Sequence, residues 1–315
     1  MNNIITLTVN PVVDKNTTVP RLIPHSKLRC TAPIYFPGGG GINVSRAIRN
    51  LGGASTAIYL AGGATGIRLR ELMNESDIVQ QTVPLKGETR QNLSVMDQST
   101  QLQYRFSPPG PWVHEKEWKK ALLLVEKSLS QGDYLVASGK LPPGIPPDFF
   151  VKVATIVKNK NAKLVLDTKG EALRHAIKAT IFLFKPNISE LASLLGKSSI
   201  VFSELEVLVQ SFMKTHPCEI MVVSLGSQGA LLATKTQIEY IPAPIVPQKS
   251  LIGAGDSMVA GMVLSLMEGK TLREMAQFGV ACGSAATMRT GTQLCEKEQV
   301  QPLFDWIRSN VKVLK

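Results

Sequence analysis

Short apolar runs separated by amphipathic stretches recur along most of the chain. Residues 4–9 form a β-branched run that ends at Asn10-Pro11, which predicts a buried strand closed by a turn. Similar runs at 57–61, 134–137, 163–166, 181–184 and 220–225 predict further strands. Between them the apolar spacing changes. Val44, Ala47, Ile48 and Leu51 fall on one face of a helix, and Gly52-Gly53 stops it. Helical spacing also runs through 115–129, 147–160, 203–215, 256–268 and 272–288. Apolar strands that alternate with helices predict a parallel sheet covered on both faces.

Other segments alternate residue by residue. Over 28–36, Cys30, Ala32, Ile34 and Phe36 share one face while Arg29, Thr31 and Tyr35 share the other, predicting a half-buried strand. Residues 91–95 and 102–106 alternate around the polar turn Asp97-Gln98-Ser99-Thr100 and predict a β-hairpin, as do residues 230–241. The expectation is one doubly wound α/β domain over 1–315. It carries a small β lid built from about 12–36 and 88–108, which are interleaved with core segments. The open face and edge of such a lid predict pairing with a second copy of the chain.

Composition narrows the partners. The chain has 315 residues, 44% hydrophobic, enough for one large core, and no linker or repeat divides it. Its formal charge of +11 suits an anionic ligand such as a nucleotide or sugar phosphate. The basic residues are scattered and few aromatics lie among them, which argues against nucleic acid. Cys30, Cys218, Cys282 and Cys295 form no CxxC pair, so reduced thiols in a cytoplasmic protein are expected. The N-terminus does not read as a signal peptide, and no apolar run approaches the ~20 residues a membrane span needs.

Four glycine-bearing or polar motifs sit at predicted turns, three of them opening a helix and one leading into a hairpin. Gly253-Ala254-Gly255-Asp256 precedes a long amphipathic helix, whose free amides suit a phosphoryl charge while Asp256 suits a general base. The same tetrapeptide also fits a glycine turn with an Asp cap. Gly38-Gly39-Gly40-Gly41-Ile42-Asn43 lacks the GK[ST] of a Walker loop and the GxGxxG spacing. Its amides and Asn43 suit sugar hydroxyls or an anion, and a flexible connector fits as well. Lys185-Pro186-Asn187-Ile188-Ser189-Glu190 places Asn187 and Glu190 on one helix face, where they suit hydrated Mg²⁺ or a plain capping box. Ser224-Leu225-Gly226-Ser227-Gln228-Gly229 is a turn whose amides suit a nucleotide. Asp14 follows the first strand, where a parallel sheet presents ligand residues, and Lys27 and Arg90 fall on the lid.

Taken in order, these motifs resemble the ribokinase-like, or phosphofructokinase B, family over residues 5 to about 307. The segments at 27–33, 36–44, 89–93 and 253–258 are similar to its minor bacterial 6-phosphofructokinase branch. The resemblance implies transfer from ATP to fructose 6-phosphate, a Mg²⁺ requirement, a homodimer joined through the β lids, and inhibition by a second MgATP. Tagatose-6-phosphate kinase and 1-phosphofructokinase are the alternatives, because Asn10-Pro11-Val12-Val13-Asp14 is more similar to those branches. A non-catalytic nucleotide-binding regulator is the alternative from another class. By resemblance, Asp256 is the base and Gly253, Ala254 and Gly255 its anion hole. Asp14, Gly39, Gly40, Asn43 and Ser138 hold the sugar, with Arg90 and Lys27 on its phosphate. Lys185, Asn187, Ser224, Gly226, Gly229 and Ser284 line ATP, and Glu190 orients Mg²⁺ through water. Ser250, Ile252, Ala286, Arg289, Gly291 and Gln293 form a loop for a monovalent cation, K⁺. Lys140 stands where a small hydroxyl residue is usual, and Arg289 and Gln293 also depart from the family pattern.

Overall fold

A computed structural model describes residues 2–310. The chain opens with β1 (Ile4–Thr8), buried throughout, followed by β2 (Val12–Val19), β3 (Ile34–Gly38) and α1 (Gly40–Asn50). Next come β4 (Thr56–Ala61), α2 (Gly63–Glu75), β5 (Val79–Pro84), and the hairpin of β6 (Arg90–Asp97) and β7 (Leu102–Phe106). Alternation then sets in: α3 (Glu115–Ser128), β8 (Tyr134–Ser138), α4 (Phe149–Asn159), β9 (Lys163–Asp167), α5 (Glu171–Ala176) and β10 (Ile181–Phe184). The chain continues with α6 (Ile188–Leu194), α7 (Phe202–Thr215), β11 (Cys218–Ser224), and the hairpin of β12 (Ala230–Ala233) and β13 (Ile238–Ile241). Three helices close it: α8 (Ala254–Met267), α9 (Leu272–Thr287) and α10 (Lys297–Asn310).

Nine strands form one sheet in the order β13-β12-β11-β10-β9-β8-β1-β4-β5. From β5 to β11 every neighbour is parallel; β12 and β13 are antiparallel additions. The strands are apolar on both faces because helices cover both. In β8, Tyr134 and Val136 pack in one core with Val44, Met262 and Val280, while Leu135 and Ala137 pack in the other with Trp118, Phe149 and Val209. The strand order reverses at β1, with β4 on one side and β8 on the other. A crevice forms outside the carboxyl ends of strands at such a reversal.

A second sheet runs β3-β2-β6-β7, with β2 parallel to β6 and the outer pairs antiparallel. Pairing of Asp14 with Asn92, and of Ser94 with Arg105, sets all four on one face. Leu102, Tyr104 and Phe106 point to the other and are exposed.

The strand expected at 28–36 is instead Ile34–Gly38. Pro33 has no N–H for a ladder, and residues 29–32 cover no core. The segment is tied to β2 by Thr31, whose N–H donates to the Thr18 carbonyl at 3.0 Å. Sequence reasoning missed β2, whose Val-Val-Asp-Lys-Asn-Thr-Thr-Val interior carries charge, and also β5, α2, α5 and α10, while the helix start expected at Asn187 is present as α6. Among the described residues no helix is long and apolar enough to cross a membrane.

Candidate active site

The α8 helix starts at Ala254, two residues before the expected 256, so Asp256 is its third residue. Gly253, the N-cap, has φ 78° and ψ 0°. A side chain there would be strained, and its Cβ would sit 2.4 Å from Leu294 Cδ2. This turn aims the first amides of α8 and the Asp256 carboxylate at the same space, at the positive end of the helix. Asn43, near the start of α1, donates from Nδ2 to Asp256 Oδ2 at 2.8 Å. Burial, then the Asp167 carboxylate, pushes Asp256 up to about 6, opposed by the Asn43 hydrogen bond, Lys185 and Arg105.

Two cavities meet at this turn. The first, about 770 Å³, is bordered by Asn10, Gly39, Gly40, Asn43, Ser138, Ile252, Gly253 and Asp256. Arg90, Arg105, Lys140 and Lys169 face it from the second sheet and from the ends of β8 and β9, against Asp167 and Glu190. Four cations in one cleft make a site for an anionic ligand. Arg90 is held by Asn10: Nε donates to Asn10 Oδ1 at 3.0 Å and Nη2 to the Asn10 carbonyl at 3.2 Å. The second cavity, about 470 Å³, lies across the turn beside Ala254 and Gly255. Ser224, Gly226, Gly229 and Ser284 border it together with Ile245, Val246, Met258 and Val280, an apolar slot with backbone polar groups.

The chain matches the description "pfkB family carbohydrate kinase" over residues 7–299. It is 41% identical over 311 residues to ATP-dependent 6-phosphofructokinase isozyme 2 of Escherichia coli (strain K12), covering 98% of this chain and 99% of that one. The chain belongs to the pfkB family of carbohydrate kinases. It is also 32% identical over 305 residues to 1-phosphofructokinase of Bacillus subtilis (strain 168), covering 97% and 98% of the two chains. The crystal structure of phosphofructokinase-2 from Escherichia coli in complex with potassium superposes with a TM-score of 0.94 at 40% identity, covering 98% of this chain and all of that one. The fold is therefore the ribokinase-like doubly wound architecture of this kinase family.

Most of the expected pfkB positions converge on the two cavities. Gly39, Gly40, Asn43, Arg90 and Ser138 line the first, and Ser224, Gly226, Gly229 and Ser284 the second. Asp14 is not on the wall. It is buried behind it, accepting from Asn92 Nδ2 at 2.6 Å and from Arg105 Nη2 at 3.1 Å. Lys185 lies under the turn, with Nζ 3.3 Å from Asp167 Oδ1 and 3.4 Å from the point a Gly255 Cβ would occupy. Burial pulls its ammonium down, but Asp167, Glu190 and Asp256 more than offset this and hold it above the ordinary value. Asn187 and Glu190 form a reciprocal cap on α6, with Asn187 N–H to Glu190 Oε2 at 3.0 Å and Glu190 N–H to Asn187 Oδ1 at 2.8 Å. Lys27 is exposed in the segment between β2 and β3, away from both walls.

Arg105, Asp167 and Asn10 were not singled out from sequence. Arg105 alternates with Tyr104 and Phe106, so the strand pattern alone put it on a face without saying which face meets the site. Asp167 lies one residue past the apolar run of β9, at the carboxyl end where ligand residues of a parallel sheet gather.

The loop around Gly291 is closed by Ser250, whose Oγ donates to the Gly291 carbonyl at 2.8 Å. Ala286 accepts from Arg289 N–H at 3.1 Å, and Gln293 N–H donates to Thr290 at 3.3 Å. Ile252 borders the first cavity. Arg289 turns to Glu296, Nη2 to Oε1 2.7 Å, so its charge is paired within the loop.

Gly229 gives a direct test of the second cavity's floor. It adopts φ 107° and ψ −128°, and a Cβ there would lie 2.0 Å from the Ile241 carbonyl oxygen. Gly229→Ala is expected to lose about 3 kcal/mol in folding stability, read from urea denaturation at unchanged m-value. A wild-type midpoint would show that the β11–β12 turn does not require this conformation.

Proposed function

We propose that this chain transfers the γ-phosphoryl group of ATP to the 1-hydroxyl of fructose 6-phosphate, giving fructose 1,6-bisphosphate and ADP. One observation carries the reading. The Gly253–Asp256 turn forms the wall between a cation-lined cavity and an apolar, glycine-lined one. Sugar phosphate in the first and ATP in the second place hydroxyl and γ-phosphoryl on either side of Asp256. The 1-hydroxyl oxygen attacks phosphorus as its proton passes to the Asp256 oxygen left free by Asn43, and the bond to the bridging oxygen of ADP breaks. Amides of the first turn of α8 face the transferred group. Arg90, Arg105 and Lys140 hold the 6-phosphate, Arg90 and Arg105 by bidentate pairing.

Among the described residues no group of three or more His, Cys, Asp or Glu side chains is arranged to hold a metal. Mg²⁺ would arrive on the nucleotide phosphates, oriented through water by the Glu190 carboxylate oxygen that its cap leaves free. Bound there, Mg²⁺ supplies charge neutralisation of the phosphates. The Ser250–Gln293 loop offers carbonyl oxygens, and its Arg289 charge is taken up by Glu296 just beyond it, an arrangement that supports K⁺ as the ligand. Leu102, Tyr104 and Phe106, at 56%, 41% and 56% exposure, form an apolar stripe that supports a homodimer through the small sheet acting as a lid. Reduced cysteines agree with a cytoplasmic enzyme.

A second reading, 1-phosphofructokinase or tagatose-6-phosphate kinase, is favoured by Asn10-Pro11-Val12-Val13-Asp14, since Asn10 both borders the cavity and holds Arg90. The deciding measurement is kcat/KM on fructose 6-phosphate, fructose 1-phosphate and tagatose 6-phosphate with MgATP. Fructose 6-phosphate is expected to be preferred at least ~10-fold. Turnover of none of them would leave a non-catalytic nucleotide-binding protein.

A further inference from the structure

Asn43 is polar at both ends, and both ends are occupied. Its Nδ2 donates to Asp256 Oδ2 at 2.8 Å. Its Oδ1 accepts from Arg46 Nη1 at 3.4 Å, one turn further along α1. The same Arg46 nitrogen donates to the Pro37 carbonyl at 2.9 Å, and the guanidinium lies 5.8 Å from the Phe36 ring centroid. Two residues of β3 therefore hold Arg46 in place behind Asn43. Arg46 does not border either cavity at the Gly253–Asp256 turn.

An amide has an acceptor end and a donor end that are nearly equal in size, so only its neighbours decide which way it points. A guanidinium has donors alone. With Arg46 at one end, the Asn43 oxygen must face it and the NH₂ must face Asp256. The reversed amide would set oxygen against carboxylate and NH₂ against guanidinium. Arg46 also remains a cation at neutral pH: burial pulls it down to about 10, opposed by the Asp14 and Asp256 carboxylates.

We propose that Arg46 is a positioning residue for phosphoryl transfer. It locks the Asn43 amide so that the NH₂ holds one oxygen of Asp256 and leaves the other free for the acceptor hydroxyl. This rests on the reading of Asp256 as the base. The groups facing Asp256 are Asn43 from α1, Arg105 from β7, Asp167 from β9 and Lys185 just past the end of β10, with Arg46 behind Asn43.

The test uses the full chain with fructose 6-phosphate and MgATP. Arg46→Met, shown to be folded by circular dichroism, is expected to lose about 10- to 100-fold in kcat, the scale of a mispositioned catalytic group. KM for both substrates stays within about threefold, because only a transition-state interaction is lost. The acid limb of the kcat profile moves to higher pH, because Asp256 loses a well-aligned donor. Combined with Asn43→Ala, Arg46→Met should add less than about twofold to the loss of Asn43→Ala alone. A folded Arg46→Met with wild-type kcat, or two losses that multiply as independent ones, overturns the assignment. If Arg46→Met does not fold, Arg46→Lys decides. It keeps the charge but not the planar fork, so a kcat loss of about threefold or more at unchanged KM supports the assignment, and wild-type kcat overturns it. Failure of the wild type to turn over any of the three sugar phosphates refutes the kinase reading itself. A working wild type with an indifferent Arg46 refutes only this inference.

Discussion

Asp256→Asn should lose about 10²- to 10⁴-fold in kcat while binding both substrates nearly as well, and should be more stable than the wild type at pH 7. The first effect follows from removing the proton acceptor next to the attacking hydroxyl. The second follows from the position of the carboxylate, enclosed at the start of α8 and near Asp167. Its folded value of about 6 lies above its ordinary 3.8. Between those values the folded state binds more protons than the unfolded one, so stability falls as pH rises through that window. The fall is at most roughly 3 kcal/mol, at about 1.4 kcal/mol per unit. Asn carries no charge to desolvate and can still meet the Asn43 NH₂ through its carbonyl. As pH falls through 3.8 the stability gain of the variant should vanish, because Asp256 then becomes neutral in the unfolded state as well as in the folded one. In the wild type, kcat/KM should fall below pH 6 as Asp256 takes up its proton. Thermal melts across pH 4–8 and initial rates check the two effects separately. Full activity in Asp256→Asn removes it from the base role, and an unchanged or lower melting temperature at pH 7 refutes the account of its burial.

Lys185→Met should be the most destabilising of the substitutions considered, by about 3–5 kcal/mol. Lys185 is 4% exposed and is the cation between Asp167 and Asp256. Without it the Asp167 carboxylate, at 16% side-chain exposure, keeps its charge with no partner at 3.3 Å, and Asp256 faces a like charge unscreened. The base is then harder to ionise, so the acid limb of kcat/KM moves to higher pH. Lys185→Met combined with Asp167→Asn removes both members of the pair and should recover most of the lost stability. A single variant as stable as the wild type, or a double variant no better than the single, would show that the pair does not hold the sheet ends together.

The large sheet was legible because its strands are apolar on both faces and its helices have a clear period. Each helix expected from 115 onward is present to within two residues at either end. The small sheet was legible only where alternation was clean, at β6 and β7. The central strand β2 reads poorly because Asp14, Lys15 and Asn16 interrupt it. These are tolerated because β3 and β6 pair with it on both edges and Asn92 and Arg105 satisfy Asp14.

The Gly253–Asp256 motif shows the same division. Residue identity alone determined that the backbone turns sharply there, that a helix follows, and that a carboxylate stands among free amides. Those properties are local: they depend on the missing Cβ of glycine and on the four unpaired amides of any helix start. The order of the motifs along the chain was enough to identify the kinase family. Tertiary structure alone decided what surrounds the carboxylate. Asn43 reaches it from 213 positions away, Arg105 and Asp167 approach from β7 and β9, and Lys185 from just past the end of β10. Burial and charge at Asp256 depend on distances between segments that no local pattern encodes, and they raise an ordinary carboxylate to about 6.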